Sequence, residues 1–292
     1  MNTVLRVEGL TKSYGDITVL KGVSFTVGRG EIFGLLGANG AGKSTLLECI
    51  EQLRSIDSGT IAVEGRIGVQ LQSASLPPNI RAYEVVTLFR KWSKNKAGTG
   101  EAEAGEFGLE DLGRKPYKDM STGQKRRLHL ALAVIGSPDI LILDEPTSGL
   151  DVAGRLSLHS VIRRLKQQGT TILMASHDMA EVESLCDRLI ILRDGRIAFS
   201  GTAQELTRNA AGLSRIYLQT ERSLAGQAFE QCRYEGERQG YSLYSAGNLR
   251  DALLELLTTA EQQELAVLDV RIAHATLEQR FMELASAGEG EH

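Results

Sequence analysis

The sequence predicts an α/β fold: a mostly parallel sheet with helices on its faces, introduced by an antiparallel β subdomain, interrupted by a helical insert and followed by a small C-terminal α/β domain. Three observations predict it. First, the apolar run Ile32 to Leu36 enters Gly37-Ala-Asn-Gly-Ala-Gly-Lys43-Ser44, and Thr45 to Leu53 continues with helical character. This is the strand, G-x-x-x-x-G-K-[ST] loop and helix of a P-loop core. Second, from Ser121 to Phe199 short apolar runs alternate with helical periodicity, as parallel strands joined by helices require. Third, the pattern begins again after Leu206, and 292 residues suit two domains. The expected boundaries are residues 1–206, with an insert at about 73–120, and residues 213–286.

In chain order, Val4-Leu-Arg-Val7, Thr18-Val-Leu20 and Val23 to Val27 read as antiparallel strands, punctuated by Gly15-Asp16 and Gly28-Arg-Gly30. Asp57-Ser-Gly59 closes the first helix, and Gly59 to Gly65 and Ile67 to Val69 are two more strands. Ser73 to Asn79 is a loop. Tyr83 to Trp92 carries Val85, Val86, Phe89 and Trp92 at helical spacing, a stripe expected to lie in the core. Lys94 to Gly100 is a polar break, and Glu101 to Leu112 an acidic helical piece.

Ser121 opens a helix with Leu128, Ala131, Leu132 and Ile135 on one face, broken by Pro138-Asp139. Ile140 to Leu143 is a buried strand. Leu158, Val161, Ile162 and Leu165 mark the next helix, which Gly169 ends. A strand over Thr170 to Ala175 and a helix over Met179 to Leu185 follow. Arg188 to Arg193 and Arg196 to Phe199 form a hairpin about Asp194-Gly195. Beyond it, Arg215 to Gln219, Tyr241 to Tyr244 and Leu265 to Ile272 read as strands. Leu249, Leu253, Leu256 and Leu257 mark one helix, and Leu277, Phe281, Leu284 and Ala285 another.

Composition narrows the function classes. A hydrophobic content of 42% and a charged content of 24% describe a globular protein with ample core. A net charge of −4 argues against a non-specific nucleic-acid binder, which needs a basic footprint. No stretch approaches the ~20 apolar residues of a membrane span. Met1 to Gly9 lacks the regions of a signal peptide, so a cytosolic location is expected. Cys49, Cys186 and Cys232 lie far apart and are expected to be buried apolar residues. Lys125, Arg126 and Arg127 read as the solvated start of a helix.

The chemistry is carried by the loop and by an acid pair. Gly37, Gly40 and Gly42 let the backbone approach an anion closely, with successive amides pointing inward. The following helix adds the positive end of its dipole. Lys43 supplies a cation for β- and γ-phosphates, and Ser44 a hydroxyl for Mg²⁺. Ile140-Leu-Ile-Leu-Asp144-Glu145 is an apolar strand ending in acids. Asp144 is suited to Mg²⁺ through water, and Glu145 to orienting or deprotonating an attacking water.

Together these segments resemble the ATP-binding cassette (ABC) ATPases over about residues 3–206. Ser121-Thr-Gly-Gln124, after Met120, resembles the signature motif Leu-Ser-Gly-Gly-Gln, with Met120 in place of leucine and Thr122 in place of a glycine. The resemblance implies that Ser121, Gly123 and Gln124 cap the γ-phosphate of ATP held by an opposite subunit. It implies that Gln72, with Gln70 as the competing candidate, is the Q-loop glutamine that touches Mg²⁺ and water. Ser148-Gly-Leu-Asp151 resembles the D-loop at the dimer interface, His177 the switch histidine on the γ-phosphate, and Tyr14 the aromatic that stacks on adenine. Gly37, Asn39, Gly40, Gly42, Lys43, Ser44 and Thr45 then cradle ATP, and Ser44, Gln72 and Asp144 hold Mg²⁺.

The same resemblance implies an ATPase that works as two cassettes, a second copy or a homologue, docked on integral membrane permease subunits at the inner face of the cell membrane. Thr276-Leu-Glu-Gln-Arg-Phe-Met-Glu-Leu284 is similar to the tail of ABC-2-type exporter subunits. An importer subunit is the nearest alternative, and a soluble ABC ATPase of DNA repair or translation the more distant one. No nucleic-acid partner is expected.

Overall fold

A computed structural model of the chain describes residues 2–70, 75–93, 109, 112–208, 214–224 and 226–273. The chain divides into two compact units, Met1–Thr202 and Ala203–His292.

The first unit opens with β1 (Thr3–Tyr14) and β2 (Ile17–Gly28), which pair antiparallel, with β4 (Ser58–Val63) antiparallel on the other edge of β1. Where the sequence shows three short apolar runs, the chain makes two twelve-residue strands, because irregular register shifts carry the pairing past the polar interruptions.

The second sheet holds six strands in the order β5-β6-β7-β3-β8-β9: β5 (Ile67–Gln70), β6 (Ile140–Asp144), β7 (Thr171–Ala175), β3 (Ile32–Gly37), β8 (Arg188–Arg193) and β9 (Arg196–Gly201). All neighbours are parallel except β8 and β9. All six residues of β3 and all five of β7 are buried, as expected of strands covered on both faces. One face sends Phe33, Leu35, Ile142 and Leu173 into a core shared with Leu46, Leu47 and Ile50 of α1 (Lys43–Ile50) and with Val7, Leu20 and Phe25 of the antiparallel sheet. Helix α1 therefore contributes to the core formed between the two sheets. Each such leucine or isoleucine contributes roughly 1.5–3 kcal/mol by burial.

The β8–β9 hairpin turns as its sequence demands. Asp194 and Gly195 both take positive φ, 49° and 76°, the type I′ geometry that matches strand twist. Glycine is also needed for space: a Cβ at 195 would stand 2.1 Å from Val19 O, and Gly195 O accepts from Lys21 N at 2.8 Å.

In the insert, α2 (Ala82–Trp92) buries Ala82, Val85 and Val86. Phe89 is half-buried and Trp92 is 69% exposed, so the expected aromatic core stripe is corrected here. Trp92 is the last residue of the helix, beyond the arc that the core covers, and packs on Phe89 at 5.6 Å. The Glu101 to Leu112 segment lies largely outside the described residues, although Leu109 and Leu112 are buried. The remaining helices of this unit are α3 (Thr122–Val134), α4 (Val152–Gln167) and α5 (Met179–Leu185). Cys49 is buried and Cys186 partly so.

The second unit contains α6 (Ala203–Arg208) and a four-stranded antiparallel sheet in the order β11-β12-β10-β13. Its strands are β10 (Ser214–Thr220), β11 (Arg233–Arg238), β12 (Tyr241–Ala246) and β13 (Val267–Ala273). Helix α7 (Leu249–Gln262) buries Ala252, Leu256 and Ala260 against Ile216, Leu218 and Tyr244. Cys232 is buried here too. The expected helix at Leu277 to Ala285 lies outside the described residues.

Helix α3 also buries a titratable group. His129 Nε2 lies 3.1 Å from the Tyr117 hydroxyl, and burial, then Arg126 and Lys125, depress its pKa. A histidine depressed in the folded state adds stability above its ordinary value of 6.5 that is lost as pH falls through the folded value. His129→Gln should therefore flatten the fall in stability below pH 6.5. Urea denaturation at pH 8 and pH 5 checks this: an unchanged difference between the two pH values would remove His129 from the acid limb.

Candidate functional site

The site forms where β3, β6 and β7 end at the carboxyl edge of the parallel sheet, the usual place for ligands in open α/β sheets. Gly37 closes β3, and a Cβ there would stand 2.7 Å from Leu192 O. The chain then turns, with Ala41 N donating to Ala38 O at 3.1 Å. Asn39 and Gly40 are exposed on the loop. Gly42 has φ 105° and starts α1 with no side chain capping its first turn. The first-turn amides therefore remain available to an anion at the positive end of the helix dipole.

Lys43, only 8% exposed, donates from Nζ to Gly37 O at 2.7 Å and to Ala38 O at 3.2 Å, which curls it over its own loop. Burial lowers its pKa, and Glu145 and Asp144 oppose the shift. Ser44 is exposed, and Thr45 half-buried behind it.

Register aligns the other strand ends. Ala175 pairs with both Leu35 and Asp144, Glu145 N donates to Ala175 O at 3.0 Å, and Ser176 N donates to Leu35 O at 3.2 Å. Glu145 itself has φ 50°, a left-handed backbone that is costly for a non-glycine residue and that turns its side chain off the strand line. Its carboxylate Oε2 lies 2.6 Å from His177 Nδ1. The Glu145 side chain is 12% exposed and that of His177 64%.

The acids crowd one another. The Asp144 pKa is raised by burial and by Glu145, against the pull of Lys43. Glu51 is pushed up to about 7 by burial, by Asp144 and by Glu48. Glu51 was not among the residues expected at the site. Its signal was helical spacing: Ser44, Glu48 and Glu51 share one face of α1 at i, i+4 and i+7. Among the described residues no group of three or more of these side chains is close enough to hold a metal ion by itself, and Asp144 and the Ser44 hydroxyl offer the hard oxygens that suit a divalent cation.

Tyr14 ends β1, 40% exposed, with Lys12 Nζ and the Arg54 guanidinium carbon each 5.4 Å from its ring centroid. Gln72 lies outside the described residues. Gln70, the last residue of β5, is 1% exposed, and its amide atoms have no partner among the described residues.

Ser121, Gly123 and Gln124 gather with Asp151 in a second place, a cleft of about 530 Å³ that also includes Arg127 and Ser157. Ser121 caps α3: its Oγ accepts from Gln124 N at 3.3 Å. Gln124 Oε1 accepts in return from Ser121 N at 3.0 Å and from Lys115 Nζ at 2.9 Å, a capping box. Gln124 thus supports the start of the helix. Thr122 packs beside the 148–151 loop, where a methyl on Gly149 would lie 3.8 Å from Thr122 Cγ2. Asp151 caps α4, accepting from Gly154 N at 2.7 Å.

The family model described as ABC transporter matches residues 20–148. The linearmycin resistance ATP-binding protein LnrL of Bacillus subtilis is 32% identical over 307 residues, spanning 96% of this chain and 98% of that protein. The daunorubicin resistance ATP-binding protein DrrA3 of Streptomyces coeruleorubidus is 37% identical over 72% of each chain. Among solved structures, the ATP-binding subunit of an ABC transporter superposes with a TM-score of 0.65 at 28% identity, covering 70% of this chain and 92% of that one. The cbiO1 protein of Clostridium perfringens, part of the ABC transporter complex cbiONQ, gives a TM-score of 0.63 at 28% identity over 72% and 95%. Likeness of this degree over 96% of its length, joined to a phosphate loop and acid pair on one sheet edge, means that the chain belongs to the ABC transporter family, as an ATP-binding ATPase subunit.

Proposed function

We propose that the chain powers an exporter, as one of two cassettes that close face to face on two MgATP molecules, hydrolyse them and separate. The observation that carries this reading is the presence of two clusters in one chain. The phosphate loop, Asp144, Glu145 and His177 gather at the carboxyl edge of the sheet. The capped turn at Ser121 and Gly123 lines its own cleft with Asp151. In the proposed dimer, Ser121 and Gly123 of one copy complete the phosphate site of the other.

The residues divide the work. Tyr14 stacks on adenine. The amides of residues 37–45 and Lys43, turned from its loop carbonyls, hold the phosphates. Ser44, Asp144 and Gln72 hold Mg²⁺, which when bound offsets charge on the phosphate oxygens. Glu145 orients the attacking water and takes its proton, and His177, already 2.6 Å from that carboxylate, ties it to the γ-phosphate. No helix among the described residues is long and apolar enough to cross a membrane. In this reading separate permease subunits form the path, and the cassettes sit beneath them at the inner face of the cell membrane. The export direction draws support from relatives named for drug resistance and for Nod factor export. ATP chemistry is assigned to residues 1–206, and the 213–286 domain to regulation, dimerisation or contact with the permease.

Two outcomes follow. Glu145→Gln should lower ATP hydrolysis by about a hundredfold or more while leaving binding intact, so that gel filtration with MgATP shows a trapped dimer. Hydrolysis at the parental rate would remove Glu145 from the chemistry. Affinity capture from detergent-solubilised membranes of the native host should recover a multi-span protein in stoichiometric amount. Ribosomal or DNA-repair proteins in its place would overturn the transporter reading.

A further inference from the structure

Behind His177 lies a buried polar network that the hydrolytic chemistry above does not use. Glu181, on α5, has a fully buried side chain, and His159, on α4, one only 6% exposed. A carboxylate so placed is costly unless hydrogen bonds meet it, and an apolar residue of similar size would fill the space at less cost. Here both oxygens are met. Oε2 accepts from Ser176 Oγ at 2.6 Å, and Oε1 lies 3.1 Å from His159 Nε2. Ser176 Oγ accepts in turn from Asp178 N at 3.1 Å, bridging the backbone over residue 177. Asp178 is fixed twice more: Oδ1 accepts from Glu181 N at 3.1 Å, and Oδ2 from Arg155 Nη1 at 2.6 Å.

All of these bonds but the His159–Glu181 contact end on the two residues that flank His177, and they reach α4 through a single face. Asp151, Arg155 and His159 are spaced four apart, so the cap of α4, the ion pair to Asp178 and the contact to Glu181 run along one side of that helix. Asp151 lines the second cleft, and His177 touches Glu145. The network is thus a physical link between the two clusters of the site.

We propose that Glu181 and Asp178 are positioning residues that clamp the backbone of His177 to α4, so that the distance of the histidine from Glu145 follows the position of the Asp151 loop. The proposal rests on the role given above to His177. The clamp acts on the backbone, and the imidazole, 64% exposed, meets Glu145 at 2.6 Å. Closure of a partner on the Asp151 cleft would then set the histidine, through contacts wholly inside one chain.

The test measures steady-state ATP hydrolysis in the full chain for Glu181→Gln, Ser176→Ala and His177→Ala, and for Glu181→Gln combined with His177→Ala, with melting temperatures alongside. Glu181→Gln keeps the shape and removes the charge, and Ser176→Ala serves if that variant fails to fold. Either should lower kcat about tenfold, as a misplaced group does. The KM for ATP should stay within about twofold, a split that general loosening of the fold would not give. In the His177→Ala background Glu181→Gln should cost nothing further. Parental kcat in Glu181→Gln and Ser176→Ala beside an impaired His177→Ala would overturn the clamp alone, as would losses that add in the double variant. Parental hydrolysis by His177→Ala would overturn the role of His177 itself, and the clamp with it.

Discussion

The register among three parallel strands sets the site. Ala175 sits between Leu35 on one side and Asp144 on the other, so β7 and β6 end level at the sheet edge and β3 runs two residues further, to Gly37. A slip by one residue would carry Ile142 and Asp144, which share a face, together to the opposite side of the sheet, because strand side chains alternate. Burial of both faces of β3 and β7 makes such a slip expensive. The apolar strands, which touch no ligand, thereby place Lys43, Asp144 and Glu145 relative to one another.

On this frame electrostatic tension is kept. Lys43 is drawn from water yet bonded to its own loop, while Asp144, Glu145 and Glu51 crowd close by, two of them with pKa values raised by burial and mutual repulsion. Glu145 adds backbone strain at φ 50°. Unfavourable local terms of this kind are held in place by a well-packed surround.

Much of this was legible in the sequence where local chemistry and global fold agree. The phosphate loop, the Asp144-Glu145 strand end and the Asp194-Gly195 turn each carry residues that few other conformations accept. Other features were not legible for identifiable reasons. Strand β11, Arg-Tyr-Glu-Gly-Glu-Arg, lies at a sheet edge, buries little and so lacks an apolar signature. Phe89 and Trp92 have the spacing of a core stripe, but spacing cannot say where the core stops covering a helix end. The Glu181 network joins residues from two helices and a strand end, a proximity created by the sheet and invisible to any local pattern.

The exposed indole has an optical consequence. Trp92 is the single tryptophan of the chain, and it stands largely in solvent at the end of the insert helix. Its emission therefore reports one location without labelling. Anything that covers that end of α2 would shift the fluorescence of the whole protein to the blue, while events confined to the nucleotide pocket would leave its wavelength alone. The molecule carries its own spectroscopic beacon on the insert, separate from the chemistry it would be used to follow.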